Sequence, residues 1–268
     1  MNSPVGIDNV TTLELLHIGG PTIRFGYGDL VWLTDPTFDE PGDYVGGGGI
    51  TLAKLTGPAV AAADLGRVDV VLLSHDQHPD NLDRSGREFL AGVETVLSTP
   101  DAAGRVEGVR GLANWESIRL GAVTVTAVPA LHGPDGCEPL TGVVTGFVLQ
   151  ADGLPTVYVS GDNASVDYVQ RIADRVGRLD LAILNVGAAN ADRFGDSDMT
   201  LNGRTAVRAS HALGDALVVP VHAEGWAHFS EHLDYLTHRF TLADRAHLLR
   251  IPTPGVPLTV DFTTVTTP

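Results

Sequence analysis

The sequence predicts an α+β fold in which two mixed β-sheets pack face to face and helices cover their outer sides. Short apolar runs between turn residues, typical of β-strands, recur along the chain. A strand-rich pattern is followed by helical patterns twice, so each half of the chain needs a helical cover. One core between two sheets, with the helices outside, satisfies both halves. With 268 residues and no visible linker or short repeat, residues 1–268 are expected to form a single domain.

The first third of the chain predicts an antiparallel meander. Its three apolar-rich runs are Leu13–Ile18, Thr22–Tyr27 and Leu30–Thr34. Gly-Gly-Pro and Tyr-Gly-Asp turns separate these runs, as expected of neighbouring antiparallel strands. The Gly-rich residues 42–49 follow, and they lack the Lys-Ser/Thr of a phosphate loop. Either a mobile loop beside a site or a plain surface loop is expected there.

The remainder of the chain alternates predicted strands and helices. The near-continuous apolar run Asp69–Leu73 predicts a buried strand that feeds a polar loop. Further strands are predicted at Thr95–Ser98, Ser117–Leu120, Val123–Val128, Gly146–Gln150, Thr156–Ser160, Leu179–Leu184 and Leu217–Val221. Helices are predicted at residues 84–92, Val166–Val176, Thr200–Leu213 and Asp234–Arg245.

The composition and net charge of the chain indicate which classes of binding partner to expect. Hydrophobic residues make up 43% of the chain, enough for a sizeable core, while the net charge of −16 repels phosphate backbones and anionic lipid headgroups. We therefore expect a small-molecule substrate, no nucleic-acid partner and no membrane partner, and a homo-oligomer stays open. No secretory signal or run of about 18 apolar residues is visible, and the lone Cys137 fits a reducing compartment. A cytoplasmic protein is expected.

Candidate metal ligands follow the ends of four predicted strands. The first of these strands runs into Ser-His-Asp-Gln-His-Pro-Asp-Asn-Leu-Asp, residues 74–83, and the others lead to His132, Asp162 and His222. Polar residues of ligand type at the ends of several apolar strands indicate a site at one edge of a sheet.

Imidazoles and carboxylates are ligands of zinc, iron and manganese, and catalytic sites leave one position for water. With only one cysteine, a structural zinc site built from thiolates is excluded, so an open His/Asp site of the catalytic kind remains. Individual residues have other roles open to them: Asp80 could cap the helix that follows it, and Asp162 could form a turn. The grouping of His75 and His78 with aspartates directly after a strand favours metal binding.

Residues 74–83 resemble the His-x-His-x-Asp-His signature of the metallo-β-lactamase superfamily. His132, the Ser160-Gly161-Asp162 triplet and His222 follow in that superfamily's order. The segment Leu33-Thr34-Asp35-Pro36 is similar to the early Asp-Pro segment of the branch typified by L-ascorbate-6-phosphate lactonase. Residues 220–229 resemble the last-ligand segment of related hydrolases.

The resemblance implies an αββα four-layer sandwich and a site for one or two divalent metal ions. Zinc is the favoured metal, with manganese or iron as alternatives. The first metal position it implies is formed by His75, His78 and His132. The second is formed by Asp80 and His222, with Asn81 as an optional ligand, and Asp162 bridges the two positions.

The chain departs from the superfamily's pattern at three points. An extra residue changes His-x-His to His-x-x-His, so either His75 or Asp76 is placed to be the first ligand. Asn81 stands where the third histidine of the motif is expected. In the early Gly-His-x-Thr segment of the branch, residues 19–22 have no histidine. These departures weaken the second metal position and favour either one metal or one tight and one weak metal.

The function expected from this set is metal-dependent hydrolysis of an ester, lactone, amide or phosphoester of a small molecule. Asp80 is expected to orient the attacking water and relay its proton. His228 is a candidate to contact the substrate or to donate a proton to the leaving group. A non-hydrolytic metalloenzyme (lyase, isomerase or redox enzyme) on the same scaffold is the alternative, motivated by Asn81 and the unusual histidine spacing. A binding or sensing protein with a degenerate site is a third.

Overall fold

A computed structural model describes residues 12–46 and 49–262 of the chain. Its strands are β1 (Thr12–Gly19), β2 (Thr22–Tyr27), β3 (Leu30–Thr34), β4 (Gly42–Val45), β5 (Thr51–Lys54), β6 (Val70–Leu72), β7 (Thr95–Ser98), β8 (Val109–Gly111), β9 (Ser117–Leu120), β10 (Val123–Ala130), β11 (Val144–Gln150), β12 (Val157–Val159), β13 (Leu181–Asn185), β14 (Leu217–Val221) and β15 (Pro257–Asp261). Its α-helices are α1 (Arg84–Leu90), α2 (Pro100–Ala103), α3 (Glu138–Thr141), α4 (Val166–Val176), α5 (Gly203–Ala212) and α6 (Leu233–Leu242).

Most of these strands belong to two mixed sheets. In the described part of the chain, the first sheet has seven strands in the order β15-β1-β2-β3-β6-β7-β8, and the second has six in the order β14-β13-β12-β11-β10-β9. The first three strands form the predicted antiparallel meander. Parallel pairing begins between β3 and β6 in the first sheet and between β12 and β13 in the second.

The two sheets pack face to face through one apolar core. Phe25 and Trp32 of the first sheet lie in the same buried cluster as Phe147 and Val219 of the second. Burying large apolar side chains of this kind contributes roughly 1.5–3 kcal/mol each. The strands of both sheets therefore have their inner faces closed to water.

Helices cover the outer faces of both sheets. Helices α4, α5 and α6 pack on the second sheet, where Val169 and Phe240 join the buried Tyr158. On the first sheet, Leu90 of α1 packs with Val71. The predicted αββα sandwich is confirmed. None of the helices within the described ranges is long and apolar enough to cross a membrane.

The expectation of a loop at residues 42–49 is wrong for its first part. Gly42–Val45 form β4, which pairs antiparallel with β5, and Tyr44 lies opposite Leu52. Residues 47–48 lie outside the described ranges. The strand was not predicted because β4 is short, begins with glycine and is largely exposed, so it has no alternating apolar face.

Short elements account for the other differences. The strands β5, β8 and β15 and the one-turn helices α2 and α3 were not predicted from the sequence. The helix expected to begin at Thr200 begins at Gly203, because the side chain of Asn202 accepts hydrogen bonds from the backbone N–H groups of Arg204 and Thr205 and caps the first turn.

The sheets bring four ligand-bearing strand ends together. Strand β10 runs in the same direction as β12, because each is antiparallel to β11 between them, and β12, β13 and β14 are parallel. Their carboxyl ends therefore meet at one edge of the second sheet. The end of β6 in the facing sheet leads into residues 74–83 at the same place.

Candidate metal centre

Three buried imidazoles form what we term the first ligand group: His75, His78 and His132. The Nε2 atom of His75 lies 3.0 Å from Nδ1 of His78, and Nε2 of His132 lies 3.1 Å from the same Nδ1. Ligand nitrogens around a tetrahedral zinc ion, each at 2.0–2.1 Å from it, are about 3.3 Å apart. The three nitrogens thus have nearly the spacing that one metal ion requires.

Hydrogen bonds orient two of these rings and indicate which ring nitrogen carries the hydrogen. The Nδ1–H of His132 donates to the carbonyl oxygen of Met199 at 2.8 Å. The Nδ1–H of His75 donates to Oγ of Ser74 at 3.0 Å, because that hydroxyl donates its own hydrogen to Asp35 at 2.9 Å. Both Nε2 atoms therefore carry a lone pair. Contacts of this kind orient metal-ligating histidines.

Burial favours the neutral form of two imidazoles in the first ligand group, His75 and His78. Desolvation, together with the neighbouring histidines, lowers the pKa of His75 well below its ordinary value. The same two causes lower the pKa of His78 to about 4. A neutral imidazole is the form that binds a metal.

The second ligand group consists of Asp80, Asp162 and His222. Oδ1 of Asp162 lies 2.9 Å from Nδ1 of His222, and Oδ2 of Asp80 lies 3.2 Å from Nε2 of the same ring. Asn185 donates to Oδ1 of Asp162 at 2.6 Å and so holds that carboxylate from the other side.

Opposite charges set the protonation of the second ligand group. Burial opposes ionisation of both aspartates, but the imidazoles around them outweigh it and hold the pKa values of Asp80 and Asp162 well below their ordinary range. Burial also opposes the charge on His222, but Asp162 and Asp80 raise its pKa to about 10. Two carboxylates beside one imidazolium leave a net negative charge that attracts a cation, and His222 would release its proton when it binds a metal.

Buried polar atoms test whether a metal fits this centre. Oδ1 of Asp80 and Oδ2 of Asp162 are both buried and have no hydrogen-bond partner among the described residues. A buried polar atom without a partner costs roughly 1–3 kcal/mol, and more when it is charged. Oδ2 of Asp162 also lies 3.6 Å from Nε2 of His132, which joins the two ligand groups. A divalent cation satisfies these atoms, so the residues fit the metal that the motifs predict.

Backbone geometry explains the Ser-Gly-Asp triplet before Asp162. Gly161 has φ +56°, and a Cβ there would lie 2.7 Å from Cβ of Ser74 and 2.7 Å from the carbonyl oxygen of Thr145. Only glycine permits this close approach between the two sheets. His222 also has a positive φ, 57°, and its N–H donates to the carbonyl oxygen of Gly20 at 2.8 Å. A non-glycine residue in this region marks a constrained position.

Three other polar residues of the segment 74–83, Asp76, Asn81 and Asp83, make contacts outside the two ligand groups. Asp76 pairs with Arg105 at 2.6 Å, so His75 and not Asp76 lies in the first ligand group. The helix cap that Asp80 could have formed is made by Asp83, whose carboxylate accepts from Gly86 N–H and pairs with Lys54 at 3.1 Å.

A ligand role for Asn81 stays a prediction. Its amide Nδ2 donates to Asp35 at 3.4 Å, and its Oδ1 is buried with no partner among the described residues.

A small cavity that opens to solvent reaches the centre. Its polar lining consists of His78, Asp80, His132, His228 and Arg193, and its remaining lining of Gly46, Ile50, Leu52, Ala189, Ala191 and Met199. His228, expected to contact substrate, is therefore at the cavity, and its Nε2 lies 3.1 Å from Oδ2 of Asp80. The supporting residues Ser74, Asn185 and Met199 were not identified from the sequence.

Related sequences match most of this chain. A sequence model described as "Beta-lactamase superfamily domain" matches residues 32–223, more than half of the chain. A UPF0173 metal-dependent hydrolase from Pyrococcus furiosus is 27% identical over 180 residues, which are 64% of this chain and 75% of that protein. Another from Anaeromyxobacter dehalogenans is 26% identical over 248 residues, 85% of this chain and 77% of that protein.

Solved structures share the fold. An isothiocyanate hydrolase from Delia radicum gut bacteria superimposes with a TM-score of 0.81 at 21% identity, over 92% of this chain and 99% of that chain. A metallo hydrolase from Ignicoccus hospitalis has a TM-score of 0.71 at 20% identity, over 94% of this chain and 100% of that chain. CmlA, a diiron β-hydroxylase from Streptomyces venezuelae, has a TM-score of 0.65 at 18% identity, over 97% of this chain and 55% of that chain. At these identities the likeness is one of fold alone.

Proposed function

This chain belongs to the β-lactamase superfamily, and from that premise we propose that it is a metal-dependent hydrolase that acts on a small molecule. One observation carries the proposal: two linked, buried ligand groups lie against one cavity, with lone pairs that no described protein group satisfies. The first ligand group would hold one divalent cation and the second ligand group another, with Asp162 between them.

A cation held there supplies Lewis-acid chemistry, since it lowers the pKa of water from about 15.7 toward ~7 and polarises the bond under attack. Asp80 lines the cavity as an ionised carboxylate, so it can accept a hydrogen bond from a water molecule and orient it. The supporting contacts from Met199, Ser74 and Asn185 keep the ligand atoms fixed while substrate enters.

The cavity favours a small, uncharged substrate with an apolar substituent. Leu52 and Met199 belong to a buried apolar cluster beside the ligands. The one cation of the described lining, Arg193, donates to the carbonyl oxygen of Leu140, and the net charge of the chain is negative. We therefore propose neutral esters, lactones and amides as substrates ahead of phosphoesters. Isothiocyanates, the substrate class in the name of one structural neighbour, are neutral electrophiles of the same kind.

Zinc is the metal we propose, because imidazole and carboxylate ligands suit it. The same donor set suits manganese and iron, and CmlA, which has this fold, is named as a diiron enzyme. Iron as the native metal, together with no turnover of any hydrolysable substrate, would favour a non-hydrolytic reaction instead.

The test is metal analysis of protein purified without chelator, followed by assays on a panel of esters, lactones, amides and isothiocyanates. We expect hydrolysis that a chelator abolishes and added zinc restores. The His132→Ala variant should lose metal and activity, while His211→Ala, which changes an exposed histidine on α5, should retain both. Hydrolysis that is unchanged after complete metal removal would refute the proposal.

A further inference from the structure

The His-x-His-x-Asp-His signature that residues 74–83 resemble ends in a histidine. This chain has no histidine at that position, so the second ligand group has one imidazole fewer than the signature would provide. Asn81 occupies the position after Asp80 where an imidazole is expected. It is fully buried and its amide donates to Asp35, a residue that itself supports Ser74 and His75. An amide oxygen is also a weaker ligand for zinc than an imidazole nitrogen.

A histidine from the other end of the chain approaches the same carboxylate. Nε2 of His228 lies 3.1 Å from Oδ2 of Asp80, and Nε2 of His222 lies 3.2 Å from that oxygen. Two imidazole nitrogens thus converge on one carboxylate oxygen at the spacing of ligand atoms around one cation, about 3.3 Å for tetrahedral zinc. The side chain of His228 is only 8% exposed, so the surrounding protein restricts its movement away from Asp80.

Packing holds His228 in place. Its carbonyl oxygen accepts from the N–H of Asn190 at 2.9 Å, and the preceding Ala227 donates to the carbonyl oxygen of Ala53 on β5 at 3.0 Å. The ring of Phe229 packs at 4.6 Å from the His228 ring and at 4.7 Å from the His222 ring, measured between centroids. One aromatic side chain therefore orients both imidazoles beside Asp80.

We propose that His228 is a ligand of the second metal position, where its Nε2 takes the place of the imidazole that Asn81 lacks. The donor set of that position is then Asp80, Asp162, His222 and His228. With the Nε2 lone pair on the cation, the ring proton is on Nδ1, which has no partner among the described residues. This assignment rests on the proposed metal centre and replaces the expected role of His228 as a proton donor.

The experiment measures zinc and cobalt binding by equilibrium dialysis, together with the visible absorption of the cobalt-loaded protein, for the wild type and His228→Ala. We expect two equivalents in the wild type. In the variant, one tight equivalent should remain, and the second should bind at least about 10- to 100-fold more weakly and lose its cobalt absorption. His232→Ala is the matched control, because that ring contacts only a backbone carbonyl, that of Ala223, among the described bonds. His228→Gln serves if the alanine variant does not fold.

The outcomes separate this proposal from the proposed function. Two equivalents of unchanged affinity and an unchanged cobalt spectrum in the His228 variants would overturn the ligand role, whatever happens to turnover. A wild type that binds one equivalent and hydrolyses substrate would also overturn it and leave the proposed function standing. A wild type that binds no metal would refute both.

Discussion

Oδ2 of Asp162 lies 3.6 Å from Nε2 of His132, although the two residues follow different strands and belong to different ligand groups. The other oxygen of Asp162 accepts from Asn185 and faces His222, so the carboxylate is shared between both groups. Because this one carboxylate links them, its charge should affect both metal positions.

Replacing Asp162 tests that link. Asp162→Asn keeps the shape of the side chain but removes its negative charge and one acceptor oxygen. We expect the loss of at least one metal equivalent and a fall in kcat of about 100-fold or more, since the loss of a ligand exceeds the 10- to 100-fold effect of a supporting residue. Metal analysis and steady-state kinetics check this. Asp180→Asn changes a carboxylate paired with the exposed Arg178 and should leave metal content unchanged.

Ser74 should act on metal affinity without touching the metal. Ser74→Ala removes the acceptor for Nδ1–H of His75 and one hydrogen bond to Asp35. We expect zinc affinity to fall by about 10- to 100-fold, because the tautomer and orientation of His75 are no longer fixed. Competition with a chelating dye measures the affinity. Ser117→Ala, on an exposed face of β9, is the control, and equal affinities in both variants would refute the role of Ser74.

These contacts show what the sequence could and could not predict. His75, His78, Asp80, His132, Asp162 and His222 were predictable as a set, because each follows an apolar strand and strand ends meet at a sheet edge. The superfamily is confirmed by the match over residues 32–223, while the L-ascorbate-6-phosphate lactonase branch stays a prediction.

The supporting residues were not predictable in the same way. Met199 contributes a backbone carbonyl, which any residue type has, and Asn185 meets Asp162 only through the pairing of β12 with β13. The capping role considered for Asp80 belongs to Asp83, three residues further along. Short exposed strands such as β4 were missed because they have no apolar face, so their pairing depends on the folded structure.

Gly161 should be intolerant of any side chain. Gly161→Ala adds a Cβ within 2.7 Å of Ser74 and Thr145 at a φ of +56°. We expect the free energy of unfolding to fall by roughly 1–3 kcal/mol from overpacking, with further loss from the backbone conformation. Gly214→Ala has a similar φ, +69°, but no atom within 4 Å, and should cost less. Urea denaturation compares the two, and equal losses would contradict the close approach of the sheets.

His222 predicts how the metal-free protein responds to pH. Its pKa in the folded protein is about 10, above the ordinary 6.5, so its stabilising contribution is fully present below pH 6.5 and is lost as pH rises through 10. The free energy of unfolding of chelator-treated protein should therefore fall over that window. Denaturation at a series of pH values measures it. In His222→Gln this pH dependence should be absent, and an identical slope in both proteins would contradict the assignment.

Anomalous X-ray diffraction at the zinc edge, on crystals of the zinc-loaded protein, tests the metal centre most directly. We predict a peak about 2 Å from Nε2 of His75, Nδ1 of His78 and Nε2 of His132, with any second peak beside Asp80 and His222. Zinc bound elsewhere, with these five side chains free of it, would contradict the account.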